Sequence, residues 1–252
     1  MKRIDQFPAP VIPIPNMREE GACQSLYVDG EYLARNPEWH VHESSWKAKQ
    51  ILGLLRQNHL APKTICDVGC GAGEVLRQLQ ENLGNECDFW GYDISPQAYA
   101  LAKRRANERL HFARADFCEE ETRSFDLILV LDVIEHLEDY FSFLRRIKRR
   151  GGNKIFHIPL DLSVQTVLRK NALIKRREMY AHVHYFTKQT ALRTLEDTGY
   201  QVLDYSYTAR SIEFASEPWE LALKLPRKLC FAIDQDLAAQ LLGGFSLLVL
   251  VR

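Results

Sequence analysis

Between residues 64 and 158 the chain alternates short apolar runs with longer amphipathic stretches, and this rhythm limits the folds open to it. The strand-length runs are Thr64–Val68, Asp88–Tyr92, Leu110–Arg114, Phe125–Leu131 and Lys154–Ile158. Strands that alternate with helices form parallel sheets, and a nearly continuous apolar run such as 125–131 is typical of a strand buried on both faces. The sequence therefore predicts an α/β fold around a doubly wound, mostly parallel sheet.

The segments that precede this rhythm predict an arm and a first helix. Residues 1–44 begin with closely spaced prolines, which disfavour a helix, and are predicted to form an N-terminal arm. Trp39, His40 and His42 are candidates for a lid over a ligand, although a surface loop anchored by the tryptophan explains them equally well. A helix is predicted over 41–58, with Ser44 or Ser45 as its N-cap.

The segments after Pro159 break the rhythm again. Residues 159–183 are basic and predicted to be irregular, Thr187 is predicted to cap a helix that ends at Gly199, and residues 216–241 are predicted to be mainly helical. Two predicted strands, 201–207 and 245–251, suggest an antiparallel pair at the sheet edge. We predict a single domain over 45–252, with substrate-side insertions at about 159–183 and 208–240.

Composition narrows the function classes. Lys plus Arg (33) equals Asp plus Glu (33), which argues against nucleic acid and anionic membranes as partners. Hydrophobic residues make up 46% of the chain, which argues against disorder, and the six cysteines form no CxxC pair or secreted scaffold. With no apolar signal segment, the chain is expected to be soluble and cytoplasmic. The sequence gives no indication of the oligomeric state.

A glycine-rich loop follows the first predicted strand, in Asp67-Val68-Gly69-Cys70-Gly71-Ala72-Gly73. Glycines let the backbone turn sharply and approach a ligand closely. A dinucleotide fingerprint requires its third glycine at position 74, where this chain has Glu74, and this departure argues against a dehydrogenase. Asp67 is placed where a carboxylate could meet an ammonium group.

Two further acids follow the second and third predicted strands. Asp93 lies 24 residues beyond Gly69, where a carboxylate can accept hydrogen bonds from ribose hydroxyls. Asp116, followed by Phe117, could meet an adenine edge. Any one acid alone is more simply a surface turn residue. Three acids at the carboxyl ends of successive strands, behind a glycine loop, indicate a nucleoside ligand.

These motifs together resemble those of the class I S-adenosylmethionine-dependent methyltransferases. The resemblance rests on Ile65–Leu76, Gly91–Ser95, Ala115–Phe117 and Asp126–Leu137, within residues 45–205. It implies a Rossmann-like sheet of seven strands, with an antiparallel last strand inserted between strands five and six, and lid insertions. It also implies S-adenosylmethionine as cofactor. The predicted cofactor-binding residues are Asp67, Gly69, Cys70, Gly71, Gly73, Asp93, Ile94, Asp116, Phe117, Asp132 and Val133.

Histidines near the predicted cleft are the candidate catalytic residues. His136 follows the fourth strand, and an ordinary imidazole pKa of about 6.5 suits proton abstraction near neutrality. A hydrogen bond from His136 to the loop is an equally good interpretation. His182 and His184 alternate in a strand-like run and are expected to face one side. His136 and His184 are the two predicted bases.

The acceptor is the least determined part of the prediction. The leading interpretation is O-methylation of a small molecule, without a metal. Asp132, Glu135, His136 and His184 resemble the metal-binding set of plant small-RNA 2′-O-methyltransferases, so a metal-assisted RNA enzyme is an alternative, as are an N-methyltransferase and a non-catalytic cofactor-binding homologue. A basic cluster at Arg169, Lys170, Lys175, Arg176 and Arg177 could recognise a phosphate or carboxylate on the acceptor.

Overall fold

A computed structural model describes Trp39 and residues 41–119, 123–215 and 218–252. Its centre is a seven-stranded sheet in the order β3-β2-β1-β4-β5-β7-β6. The strands are β1 (Thr64–Val68), β2 (Asp88–Asp93), β3 (Leu110–Arg114), β4 (Leu127–Leu131), β5 (Asn153–Pro159), β6 (Val202–Thr208) and β7 (Ser246–Val251). The first five pair in parallel, whereas β7 is antiparallel to both of its neighbours, β5 and β6. The predicted fold class and the insertion of the last strand between strands five and six are confirmed.

The helices before and between the parallel strands follow the predicted apolar periodicity. They are α1 (Ser44–Gln57), α2 (Glu74–Leu83), α3 (Pro96–Ala102) and α4 (Tyr140–Lys148). Ser95 caps α3 by accepting a hydrogen bond from the Ala98 N–H, and Pro96 occupies the first position of the helix. The predicted cap of α1 is wrong: Glu43 is the N-cap residue, because the 3₁₀ turn Val41–Glu43 runs directly into the helix.

The second half of the chain contains more helix than predicted. Residues 159–183 form two short helices, α5 (Val164–Leu168) and α6 (Ala172–Tyr180), and are not irregular throughout. Ser163 caps α5 through the Thr166 N–H, and this short-range contact favours a helical turn there. The remaining helices are α7 (Lys188–Asp197), α8 (Arg210–Glu213), α9 (Pro218–Ile233) and α10 (Gln235–Leu242). Thr187 caps α7 in a capping box, as predicted.

The apolar core lies on both faces of the sheet, which explains the continuous apolar runs. One cluster includes Phe156 of β5 with Leu144 and Ile147 of α4. The other includes Ile51 and Leu55 of α1 with Leu76 of α2. Every residue of β4 and β7 is buried. A sheet covered on both faces leaves the ends of its parallel strands as the place for a ligand site. No described helix combines the length and apolar character needed to cross a membrane.

Candidate functional site

The glycine loop leaves β1 at the carboxyl edge of the sheet and turns through three left-handed residues. Gly69, Gly71 and Gly73 have φ angles of 77°, 55° and 74°. A Cβ at Gly69 would lie 2.8 Å from Cγ2 of Val133, so the loop passes directly against the end of β4. A Cβ at Gly71 would lie 3.6 Å from Cε3 of Trp39. The tryptophan predicted as a lid residue therefore lies against the glycine loop. The other lid candidate, His40, lies outside the described residues.

Asp93 fixes the geometry of this loop. Its Oδ2 accepts a hydrogen bond from the Gly71 N–H and its Oδ1 accepts one from the Ser95 N–H, both at 2.8 Å. Burial raises the pKa of Asp93 to about 6, although these backbone hydrogen bonds act in the opposite direction. A carboxylate oxygen can accept more than one hydrogen bond, so both oxygens of Asp93 can still accept hydrogen bonds from ribose hydroxyls.

Asp67 lies at the end of β1, beneath the loop. Only 2% of the residue is exposed, and its Oδ1 has no hydrogen-bond partner. Burial, with a smaller contribution from the neighbouring Asp93, raises the pKa of Asp67 to about 8. A buried acceptor without a partner is costly, and a ligand with an ammonium group would satisfy it.

The adenine candidates take different positions. Asp116 is exposed, and its Oδ1 accepts a hydrogen bond from the Cys118 N–H. The ring of Phe117 is only 1% exposed and packs against Tyr92, with 5.1 Å between ring centroids. The Phe117 side chain therefore belongs to the core, which leaves its backbone as the part that could meet a base. Cys70 is also buried, and burial raises the pKa of its thiol.

Lys47 is a site residue that the sequence did not indicate. Its Nζ lies 2.6 Å from Oδ2 of Asp132, which follows β4 with a left-handed φ of 54°. The other oxygen of Asp132 lies 2.6 Å from Nδ1 of His157, whose Nε2 is 2.8 Å from the Thr208 hydroxyl. Burial alone would raise the pKa of Asp132, but the contacts with His157 and Lys47 outweigh it and hold the pKa well below its usual range.

Glu135 and two histidines form a compact cluster beside this ion pair. Glu135 is fully buried, and neither of its carboxylate oxygens has a hydrogen-bond partner. Its Oε1 lies 3.8 Å from Nε2 of His136, and one ligand atom each from Glu135, His136 and His182 lie within 4.8 Å of one another. Burial raises the pKa of Glu135 well above its ordinary value. These three residues are the set that could hold a cation.

The tautomers of both histidines follow from their partners. His136 Nδ1 lies 3.2 Å from the carbonyl oxygen of Ala181, so Nδ1 carries the proton and Nε2 does not. Burial lowers the pKa of His136 to about 3, with a smaller contribution from neighbouring His182. His182 Nδ1 lies 2.6 Å from Oδ2 of Asp161. Its Nε2 is then the basic nitrogen. The centroids of the His182 and His136 rings lie 4.9 Å apart.

Asp161 orients His182 and is itself held by Arg176 from α6, with 2.7 Å between Nη1 and Oδ1. Burial would raise the pKa of Asp161, but the hydrogen bond from His182 and the charge of Arg176 outweigh it and lower the pKa. The carboxylate is therefore ionised near neutrality. Asp161 is not among the residues predicted from the sequence, and its position two residues after β5 is the signal that could have found it.

The predicted strand at His182–His184 is wrong. The N–H groups of Val183 and His184 both donate to the carbonyl oxygen of Glu135, at 2.8 and 3.1 Å. Two consecutive amides that converge on one acceptor break strand alternation. His184 instead packs edge-on against Tyr140, with 4.6 Å between ring centroids, and its Nε2 is buried without a hydrogen-bond partner. The four-residue metal set suggested by the sequence is not assembled. Asp132 contacts Lys47 and His157 instead, and the His184 ring packs against Tyr140.

Comparisons with known proteins agree with this geometry. Residues 42–205 match a family model described as a methyltransferase domain, which is more than half of the chain. Ubiquinone biosynthesis O-methyltransferase from Aliivibrio fischeri (strain MJ11) is 23% identical over 184 residues, covering 65% of this chain and 77% of the relative. Norajmaline N-methyltransferase from Rauvolfia serpentina is 30% identical over 95 residues, covering 35% of this chain and 32% of the relative.

Solved structures share the fold at low sequence identity. Magnesium protoporphyrin IX methyltransferase from Synechocystis PCC 6803, with bound SAM, has a TM-score of 0.58 at 14% identity and covers 92% of this chain and 98% of its own. The N-methyltransferase NodS from Bradyrhizobium japonicum WM9, in complex with S-adenosyl-L-homocysteine, has a TM-score of 0.53 at 18% identity, covering 82% of this chain and 85% of its own. With the glycine loop, the acids behind it and the inserted last strand, the chain belongs to the class I, S-adenosylmethionine-dependent methyltransferase family.

Proposed function

We propose that this protein binds S-adenosylmethionine at the carboxyl edge of β1 and β2 and methylates an oxygen of a small-molecule acceptor. The observation that carries the proposal is the Asp161–His182 pair beside Glu135 and His136, because it provides an oriented imidazole base near the glycine loop. Val133 connects the two regions: it contacts Gly69 and precedes the turn that holds Glu135 and His136.

The residues around the glycine loop fit this cofactor. The left-handed glycines leave room where a Cβ at Gly69 would meet Val133, and the unpartnered Oδ1 of Asp67 suits the ammonium group of an amino acid. Asp93 is oriented by two backbone N–H groups and would accept the ribose hydroxyls. Bound S-adenosylmethionine would supply an electrophilic methyl group on a sulfonium. Ile94 and the backbone of Phe117 would border the adenosine, while Asp132 and Val133 would border the methionine part.

His182 is the base that this geometry favours. An acceptor hydroxyl must lose its proton as the methyl group is transferred, and Nε2 of His182 would receive that proton. Asp161 holds the imidazole in the required tautomer and stabilises the positive charge that protonation creates. His136 is the weaker candidate, because its pKa is lowered to about 3, and His184 packs against Tyr140. Both remain neighbours that could position the acceptor.

The relatives support a small acceptor and leave its reacting atom open. One relative is named an O-methyltransferase and another an N-methyltransferase. The buried Asp161–His182 pair favours oxygen, because a neutral amine needs little assistance from a base. The cluster of Glu135, His136 and His182 favours one alternative, transfer assisted by a divalent cation at the same position.

Calorimetric titration with S-adenosylmethionine, S-adenosylhomocysteine and NAD tests the cofactor assignment first. Micromolar binding of the first two and none of NAD is expected, and binding of NAD alone would overturn the proposal. Labelled methyl transfer to an extract, with and without nuclease, then separates a small molecule from RNA. Dialysis against a chelator followed by addition of Mg²⁺ separates base catalysis from cation-assisted transfer. Saturable cofactor binding without transfer to any extract would favour a non-catalytic homologue.

A further inference from the structure

Exposed apolar side chains concentrate on one group of helices. Thirteen large apolar side chains are well exposed among the described residues, and eleven of them lie on α5, α6, α9 and α10. They include Leu168 at 80% exposure, Ile233 at 86% and Leu225 at 64%. Scattered exposed apolar residues are ordinary, but a concentration of this kind marks an interaction surface.

These helices are connected by direct packing. Helix α10 packs on both α5 and α9, and α5 contacts α6. On α9, Leu221, Leu225, Leu229 and Ile233 recur every four residues and are all exposed, so they line one face of the helix. We call the exposed apolar residues of α5, α6, α9 and α10 the apolar surface.

Positive charge accompanies the apolar surface. Residues 164–180 and 218–242 hold eight of the basic residues and only four acidic ones, whereas the chain as a whole carries 33 of each. Lys228 on α9 and Arg169, Lys170, Lys175 and Arg177 around α6 are exposed. Among the counted residues, Arg176 is paired with Asp161 and Arg227 is buried, while the acid Asp236 is paired with Lys188. The neutrality of the whole chain therefore conceals a locally basic surface.

We propose that the apolar surface docks on an anionic phospholipid bilayer, in the plane of the headgroups. Helices with exposed leucines beside lysines are the chemistry that recognises such a surface: the apolar side chains enter the boundary between headgroups and acyl chains, and the cations meet lipid phosphates. A second copy of this chain is a poorer occupant, because a symmetric contact would bring two positive surfaces together. The proposal departs from the expectation, drawn from net charge, that argues against anionic membranes as partners, and it does not rest on the proposed methyl transfer.

Sedimentation of the full-length protein with vesicles tests the proposal. Binding to vesicles of mixed phosphatidylcholine and phosphatidylglycerol is expected, with little binding to phosphatidylcholine alone and a marked decrease at high salt. Leu225→Ser combined with Leu229→Ser should weaken binding by about tenfold or more, since each serine removes apolar area from the bilayer. Lys224→Gln combined with Lys228→Gln should weaken it by about tenfold.

A matched control is available on β6. Leu203 is 39% exposed and lies outside the apolar surface, whereas Leu241 on α10 is 40% exposed and belongs to it, so Leu203→Ser should leave vesicle binding unchanged and Leu241→Ser should weaken it. Unchanged melting temperatures would show that the variants fold. Absence of vesicle binding, equal binding to both vesicle types, or equal losses in Leu203→Ser would overturn the proposal. A dimer in light scattering that Leu225→Ser and Leu229→Ser dissociate, without vesicle binding, would assign the surface to a second copy.

Discussion

His182 and Asp161 lie in hydrogen-bond contact, with 2.6 Å between Nδ1 of the imidazole and Oδ2 of the carboxylate. The carboxylate accepts and the ring nitrogen donates, which leaves Nε2 as the basic nitrogen in the acceptor region. Arg176 holds the second carboxylate oxygen at 2.7 Å, so the orientation of His182 depends on two residues, one just after β5 and one in α6.

Removal of this base should affect turnover and leave cofactor binding intact. His182→Ala should lower kcat by about a hundredfold or more, because a positioned general base contributes that much. Asp161→Asn should lower kcat to a comparable degree, because the imidazole loses the carboxylate that fixes its tautomer and stabilises its protonated form. Calorimetry should give an unchanged Kd for S-adenosylmethionine in both variants. Full turnover in His182→Ala would exclude the residue as the base.

Cofactor binding should weaken as the pH falls through about 6. The pKa of Asp93 is raised to about 6 by burial, so the carboxylate that would accept the ribose hydroxyls becomes protonated below that value. Asp93→Ala should cost about 2 kcal/mol of binding free energy, the magnitude for a charged hydrogen-bond acceptor. Titrations of the native protein on both sides of about pH 6 measure the first effect, and comparison with the variant above that pH measures the second. A pH-independent Kd for the native protein would contradict the assignment of Asp93.

The cofactor-free protein should lose stability as the pH rises, partly because of Asp67. The folded-state pKa of Asp67 is raised to about 8, so its contribution to stability is fully present below its ordinary pKa and is lost as the pH rises through 8. Asp67→Asn should therefore raise the melting temperature at alkaline pH relative to the native protein, and should do so much less at acidic pH. Equal effects at both extremes would mean that Asp67 is not ionising in the folded protein.

Two glycines with different surroundings provide a matched pair of substitutions. Gly69→Ala should abolish cofactor binding and destabilise the fold, because the residue has a φ of 77° and its new Cβ would lie 2.8 Å from Val133. Gly53→Ala, inside α1 and with no heavy atom within 4 Å of the new Cβ, should stabilise the fold by about 0.5–1 kcal/mol. Denaturant unfolding and titration together separate a loss of the loop geometry from a general effect of added side chains.

The ion pair between Lys47 and Asp132 should couple α1 to the end of β4. Lys47→Met should destabilise the protein by about 1–3 kcal/mol, because it leaves a partly buried carboxylate with only His157 as partner. The double variant with Asp132→Asn should be less destabilised than the sum of the single variants. A double-mutant cycle from urea unfolding measures this coupling, and additive effects would show that the contact contributes nothing to stability.

Local sequence signals predicted much of the frame. Short apolar runs predicted β1 to β5, and the uninterrupted run of β4 is that of a strand buried on both faces. Thr187 was recognised as a cap because a cap acts on the backbone three residues further along. The glycine loop and Asp93 were also recognisable from local sequence, because each lies at a fixed place at the end of its own strand. The cap of α1 was missed because the 3₁₀ turn Val41–Glu43 runs directly into the helix, and the helices in 159–183 were missed although Ser163 supplies a local cap for α5.

The arrangement of the acceptor side came only from the tertiary structure. Lys47 and Asp132 are 85 positions apart, Asp161 and His182 are 21 apart, and Arg210 reaches Glu43 across 167 positions. The sequence supplied the residue types, and it selected His136 and His184 because they occur in recognisable runs. It could not indicate that the N–H groups of Val183 and His184 converge on the Glu135 carbonyl. Nor could it indicate that His182 contacts Asp161. Such contacts depend on how distant segments pack, whereas the glycine loop and the strands depend on residues adjacent in the chain.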